Sequence, residues 1–408
     1  MTGADILDSR IAWARLGITL LVATIGNVGL WSIIVVMPSV EAEFGIGRAA
    51  ASVPYTVTML GFAVGNVVIG RVLDRFGIAR ALVGAALTIA AGYGLSTITT
   101  GVAGLAAAQA LIGLGTAACF GPLAADISHW FQRRRGIAVA IAASGNYLAG
   151  AVWPMLLAGV LEDSGWRTVN LILAMTVAGT LLPLAVLLRR RVPAEAQAHS
   201  ARIAAQQARS IAFSPRMLTW LLAAAGLGCC MAMAMPQVHI VSFCADLGYG
   251  PAVGAEMLSL MLLGGVVSRI ASGWVADRLG GVPTLLIGAT LQCLALMLYL
   301  PFDSLVSLYV VSAIFGLSQG GLVPTYAIIV REYLPPREAG ARVGLVLMAT
   351  ILGMALGGWM SGLIRDLTGD YHWAFVNGIA WNLLTIGVMI VLLWRSGDPR
   401  RRGATAVA

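Results

Sequence analysis

Runs of about twenty apolar residues recur along the whole chain, parted by short polar stretches rich in arginine, glycine and proline. About 20 residues at helical rise match a hydrocarbon core of ~30 Å, so each run predicts one membrane-crossing helix. Twelve such spans are read: 14–38, 51–72, 79–98, 102–126, 135–159, 168–188, 217–242, 254–275, 282–301, 304–330, 342–363 and 373–394. The expected class is an all-α membrane protein with twelve transmembrane helices. The first run carries Gly, Asn and Trp and continues well past a signal-peptide core, so it is read as a retained span.

The polar positions repeat as well. Gly70-Arg71-Val72-Leu73-Asp74-Arg75-Phe76-Gly77 returns as Gly273-Trp274-Val275-Ala276-Asp277-Arg278-Leu279-Gly280, both G-x-x-x-D-R-x-G at an offset of 203. The same offset pairs Glu43-Phe44-Gly45 with Asp246-Leu247-Gly248, and Gly113-Leu114 with Gly316-Leu317. Near the end of each half, Trp166-Arg167-Thr168-Val169-Asn170 matches Trp373-Ala374-Phe375-Val376-Asn377 at offset 207. Several anchors at nearly one spacing predict two homologous six-helix bundles, 1–190 and 217–408 with its tail, joined by a cytoplasmic linker over 191–216. Each D-R-x-G loop falls between the second and third span of its half. Gly supplies a tight turn there, and Asp and Arg are expected to tie helix ends together as a conformational latch. Its members are Gly70, Asp74, Arg75, Gly77 and Arg80 in the first copy. In the second they are Gly273, Asp277, Arg278 and Gly280, without the trailing arginine.

Composition narrows the class further. The chain of 408 residues is 59% hydrophobic and 11% charged, with mean hydropathy +0.87, which excludes a soluble domain. A net charge of +8 raises nucleic acid as a partner, but the distribution argues against it. There is no lysine, and 22 of the 26 arginines fall on one side of the alternating spans. Arg48, Arg167 and Arg365 fall on the other side, and Arg269 lies within a span. That asymmetry predicts both termini in the cytoplasm, and the expected location is a bacterial inner membrane. Of five cysteines, the adjacent Cys229-Cys230 pair lacks C-x-x-C spacing and a nearby histidine. These are read as small packing residues, with no metal or other cofactor expected.

Arg269 is the position that bears most on function. It stands about eight residues from the polar end at Asp277, or ~12 Å at helical rise, against a half-core of ~15 Å. An arginine so deep normally faces a bundle interior or a watery cavity. No other charge falls at that depth in a span, so a diffusible anion is a better partner than a neighbouring helix. A planar guanidinium receives a carboxylate through two parallel hydrogen bonds.

Twelve spans, two six-helix halves and paired G-x-x-x-D-R-x-G loops resemble the major facilitator superfamily over essentially the whole chain. The resemblance implies two bundles around a central cavity, with alternating access by rocking. The fifth-span run Trp130-Phe131-Gln132-Arg133-Arg134-Arg135-Gly136-Ile137-Ala138, continuing to Ala142-Ala143-Ser144-Gly145, is similar to a signature of monocarboxylate porters. Pro38 with Glu43-Phe44-Gly45-Ile46-Gly47-Arg48 and Ser52, and Pro236-Gln237-Val238-His239 with Asp246-Leu247-Gly248, resemble span exits of bacterial members. Arg269 stands where these porters and the oxalate/formate exchangers place a substrate arginine. Three features of the family are missing: the Asp-Gly-Gly-Trp motif of animal members, their eighth-span aspartate (Gly265 here), and the exchangers' eleventh-span lysine.

In the resembled fold the first, fourth, seventh and tenth spans line the cavity. That makes Asn27, Trp31, Phe120, His239, Gln319 and Tyr326 candidate substrate contacts, with Asn146 and Tyr147 on the fifth span. His239 lies in the outer half of the seventh span, just beyond Pro236, where the broken ladder frees backbone groups and can aim a side chain inward. His239 and Asp246 are the candidate proton carriers, Asp246 at the periplasmic mouth. One fixed cation favours one carboxylate, since a second would stay unmatched in low dielectric. The expected function is secondary transport of small monocarboxylates such as lactate- or pyruvate-like anions, proton-coupled, by a monomer in the bilayer. The alternatives are an anion exchanger and a drug or metabolite exporter of the same fold. No H-E-x-x-H, P-loop or nucleophile–base pair points to an enzyme.

Overall fold

A computed structural model describes residues 7–131, 134–189, 213–334 and 336–395, without the side chains at 74, 135 and 336–341. Fourteen α-helices and one 3-10 turn account for nearly all of these residues, with no strand among them. Eleven helical stretches are long and apolar enough to cross a membrane. The longest, α7 (Arg135–Leu187), leaves helical geometry at Gly165, φ 75° and ψ 169°, and so supplies both the fifth and the sixth span.

Three predicted spans are broken in mid-membrane. The first consists of α1 (Arg10–Gly26) and α2 (Val28–Phe44), parted at Asn27. The fourth runs as α5 (Val102–Thr116), the 3-10 turn Ala117–Cys119 and α6 (Gly121–Ser128). Pro122, in the first turn of α6, has no N–H to continue the ladder, and Phe120 sits outside helical space at φ −124°, ψ −87°. The tenth span divides into α11 (Leu305–Gln319) and α12 (Leu322–Tyr333) at Gly320-Gly321. The other spans are continuous: α3 (Arg48–Phe76), α4 (Ile78–Ser96), α8 (Pro215–Asp246), α9 (Pro251–Leu279), α10 (Gly281–Leu298), α13 (Pro336–Thr368) and α14 (His372–Arg395).

Pro236 lies inside α8, which runs on from Pro215 to Asp246. Residues 228–242 of α8 are all buried. A proline in a membrane helix removes one ladder bond, and flanking helices keep the strand of helix in place.

Helices α1–α7 form one bundle and α8–α14 the other, meeting where α3 packs on α13 and α7 on α9. The sequence repeat has a packing meaning. A Cβ on Gly113 would stand 2.0 Å from the Thr58 carbonyl, and one on Gly316 2.1 Å from the Met261 carbonyl. Both glycines and both carbonyls are related by the 203-residue offset. Each bundle therefore closes on the same glycine crossing of its second and fourth spans, the small-residue contact typical of membrane helices. The D-R-x-G turns also match. Gly77 (φ 83°) and Gly280 (φ 90°) each end one helix and begin the next, in a conformation that L side chains rarely adopt.

The linker lies outside the described residues except for its last four, and so does the side chain of Asp74. Of the remaining latch residues, Arg75 lies over the Phe76 ring at 5.3 Å and Arg278 over the Trp274 ring at 3.5 Å. Arg80 and Asp277 are exposed, and Asp277 forms no ion pair among the described residues. A Cβ on Gly70 or Gly273 would meet no atom within 4 Å.

Substituting Val at Gly113 or Gly316 should destabilise the protein by at least the ~1–3 kcal/mol typical of overpacking, because the obstacle is backbone. Denaturant titration in detergent would measure this. Val at Gly70 or Gly273 is the control expected to have little effect.

Candidate functional site

Arg269, on α9, is only 5% exposed. Its Nε donates to the Gly320 carbonyl at 3.1 Å and its Nη1 to the Ala143 carbonyl. The Gly320 oxygen is free for a local reason. Its helical donor would be the N–H of residue 324, and Pro324 has none. Gly320 also lets the backbones touch, since a Cβ there would fall 1.9 Å from the Gly265 carbonyl. On the other side Ala143, in the small-residue run of α7, belongs to the first bundle. The guanidinium lies 4.2 Å over the Tyr147 ring, one helical turn further along α7. Arg269 thus bridges the two bundles in mid-membrane through carbonyls and a π face, and no carboxylate pairs with it among the described residues. Carbonyl dipoles and a cation–π contact of ~2 kcal/mol offset only part of the cost of burying a charge.

Gly265, where the resembled animal members carry an aspartate, lies against Tyr147: a Cβ there would stand 3.3 Å from the ring.

The other candidates fall into two groups. Asn27 caps the break in the first span and donates to the Ala23 and Cys119 carbonyls at 2.7 and 2.9 Å, so its amide holds two broken spans together. Trp31 donates to the backbone and side-chain oxygens of Asn146 at 2.9 and 3.1 Å. Phe120 packs by Phe62 at the fourth-span break, centroids 6.3 Å apart. Gln319 accepts from Gln237 and leaves its own Nε2 buried without a partner. Tyr326 is fully buried, and its hydroxyl finds no hydrogen-bond partner. One residue not singled out in the sequence joins this group. Tyr55, on α3, has a buried, unpartnered hydroxyl and lies against Gly358 of the opposite bundle.

His239 and Asp246 belong to a second assembly, at the face of the molecule opposite the start of α1 and the end of α14. Arg48, 4% exposed, is its centre. Its guanidinium pairs with Glu41 at 2.7 Å within its own bundle and with Asp246 at 2.9 Å across the divide. It also donates to Tyr371 at 3.0 Å. Asp366 accepts from the backbone N–H groups of Arg48 and Ala49 at 2.9 and 2.8 Å, capping α3 from the other bundle. Arg365 holds the second oxygen of Asp246 at 3.1 Å. His239 reaches the same cluster through Tyr371. These bonds seal that face. The sequence placed Arg48 only as one of three arginines on its side, and Tyr371 gave no signal, because these partners lie far apart in the chain.

The repeat explains which acid crosses. In the first bundle Glu43 is held at home by Arg167, at 2.6 Å, and by the Trp166 indole, also at 2.6 Å. Its counterpart Asp246 has Ala374 at the position matching Arg167, and Arg365 of its own bundle holds only one of its oxygens. Asp246 is therefore left to reach Arg48.

Two bundles, broken spans around a buried cation and one sealed face define a membrane transporter. The chain matches the Major Facilitator Superfamily over two overlapping stretches, 19–304 and 231–407, and belongs to it. It is 29% identical over 345 residues to Monocarboxylate transporter 13 of Bos taurus, covering 84% of this chain and 79% of that one. It is 30% identical over 284 residues to Monocarboxylate transporter 13 of Rattus norvegicus, covering 69% and 65%. Among solved structures it shares a fold with the nucleoside transporter NupG, TM-score 0.72 at 13% identity, covering 92% and 99%.

Removing the centre of the sealed face should open it. In an Arg48→Gln background, a Ser52→Cys probe should react with a membrane-impermeant maleimide at least about tenfold faster than in the parent, because ~1.4 kcal/mol of lost closure suffices for that factor. Stopped-time labelling in proteoliposomes would read the rate.

Proposed function

We propose that this protein transports small monocarboxylates by alternating access, coupled to protons. The carrying observation is Arg269, a buried guanidinium bridging the bundles with no carboxylate partner among the described residues. A substrate carboxylate supplies the missing anion. To take it in fork-like geometry, Arg269 gives up the Ala143 carbonyl, which loosens the α7–α9 contact and links binding to rocking. Tyr147 walls the site, and the unpartnered donors of Gln319, Tyr326 and Tyr55 await a second oxygen such as a 2-hydroxy or 2-oxo group. The names of the bovine and rat relatives agree with this substrate class.

The arginine asymmetry supports placing the chain ends in the cytoplasm, so the sealed face is periplasmic and the conformation is closed to the outside. On this reading the functional units are 1–190 and 217–408, linked through 191–216, in a monomer of a bacterial inner membrane. The D-R-x-G turns act as a cytoplasmic latch that engages when the opposite face opens. His239 and Asp246 are the proton-coupling residues, through the gate rather than beside Arg269.

Arg269→Ala should abolish carboxylate binding by purified, correctly inserted protein. The charge–charge attraction lost is ~4 kcal/mol at 4 Å and an effective dielectric of ~20, a factor of ~1,000. Arg269→Lys should fail as well, because a point charge replaces a planar fork. Calorimetric binding at the wild-type level by either variant removes this assignment.

With a single fixed cation, lactate- and pyruvate-like acids should outcompete oxalate and succinate at about pH 7. Uptake of labelled C1–C6 acids into proteoliposomes, with and without a pH gradient, tests both the class and the coupling. Displacement of every monocarboxylate by a dicarboxylate would mean a second cation in the cavity.

A further inference from the structure

Tyr371 sits in the turn between α13 and α14, where Gly369 (φ 87°) and an Asp370 side chain bonded to the His372 N–H at 2.9 Å fix the backbone. Its ring is 2% exposed and packs edge-on against Phe243, centroids 5.6 Å apart. One hydroxyl therefore meets two fixed partners. Arg48 Nη1 lies 3.0 Å away and His239 Nδ1 also 3.0 Å away.

The donors and acceptors of this chain admit one assignment. Arg48 has only protons to give, so the Tyr371 oxygen accepts from it. His239 Nε2 stands 2.7 Å from the Gly358 carbonyl, which accepts only, so Nε2 carries the proton. In the neutral imidazole Nδ1 is then a bare acceptor, and the Tyr371 O–H donates to it. Every proton has a place, and the closed gate is matched to neutral His239.

We propose that Tyr371 couples protonation of His239 to opening of this gate. A proton taken from the aqueous side onto Nδ1 turns that nitrogen into a donor. The Tyr371 oxygen then faces two cationic donors, and its own hydrogen loses its acceptor. The imidazolium also adds a positive charge beside Arg48. The closed gate binds this proton less well than the open one, so acid shifts the equilibrium toward opening. The groups facing His239 and its relay are Arg48 from α3, Glu41 from α2, Asp366 and Arg365 from α13, Asp246 on α8 itself, and Tyr371. Protonating the three carboxylates would also favour opening, so the histidine must be isolated by substitution.

The inference rests on the gate reading above, and its test needs no substrate. Full-length protein in nanodiscs carries spin labels at Thr100→Cys and Ser304→Cys, both exposed, one on each bundle at the gated face. Between about pH 8 and about pH 5, the longer-distance population of the wild type should grow, at most about tenfold per pH unit for one coupled proton. In His239→Gln, whose amide offers the same acceptor and donor without a titration, only the residual growth contributed by the carboxylates should remain. In Tyr371→Phe the pH dependence should fall away while the protein still elutes as a folded species. A full acid response in either variant, or none in the wild type, overturns the proposal. Failure of carboxylate uptake alone would count against the substrate reading and leave this result standing.

Discussion

The structure turns on a backbone carbonyl that a proline leaves without a donor. In a membrane no water satisfies such a group, so another part of the protein must. Pro324 frees the Gly320 oxygen, Arg269 takes it, and the same guanidinium spans the divide to Ala143. A break in one helix thereby fixes a charge where both bundles feel it. The glycines follow from this. Gly320 and Gly265 bring the backbones within reach, and Gly265 leaves room for the Tyr147 ring that covers the cation.

The three broken spans share this logic. Asn27 at the first-span break donates to the Cys119 carbonyl at the fourth-span break, and Gln319 ends the first segment of the tenth. Interruptions that would be defects in a soluble helix become polar positions at membrane depth. They supply backbone oxygens and amides where ionised side chains would be costly.

Much of this was legible in the sequence. Hydropathy marked the spans to within a few residues, and the 203-residue repeat marked the paired bundles, with Gly113 and Gly316 proving to be equivalent crossings. Arg269 stood out because depth is a local property of a run. The sealed face did not stand out, because Arg48 and Asp366 are 318 residues apart and nothing near either one announces the other. Tyr371 and Tyr55 read as ordinary aromatics until the bundles meet.

The exchange of Arg167 for Ala374 sets how the two bundles recognise each other. Glu43 is consumed within its own bundle, whereas Asp246 is shared between Arg365 of its own bundle and Arg48 of the other. Two copies of the first bundle would each keep Glu43 at home and offer Arg48 no acid across the divide. The contact therefore joins unlike partners, a plug on the second bundle and a socket on the first.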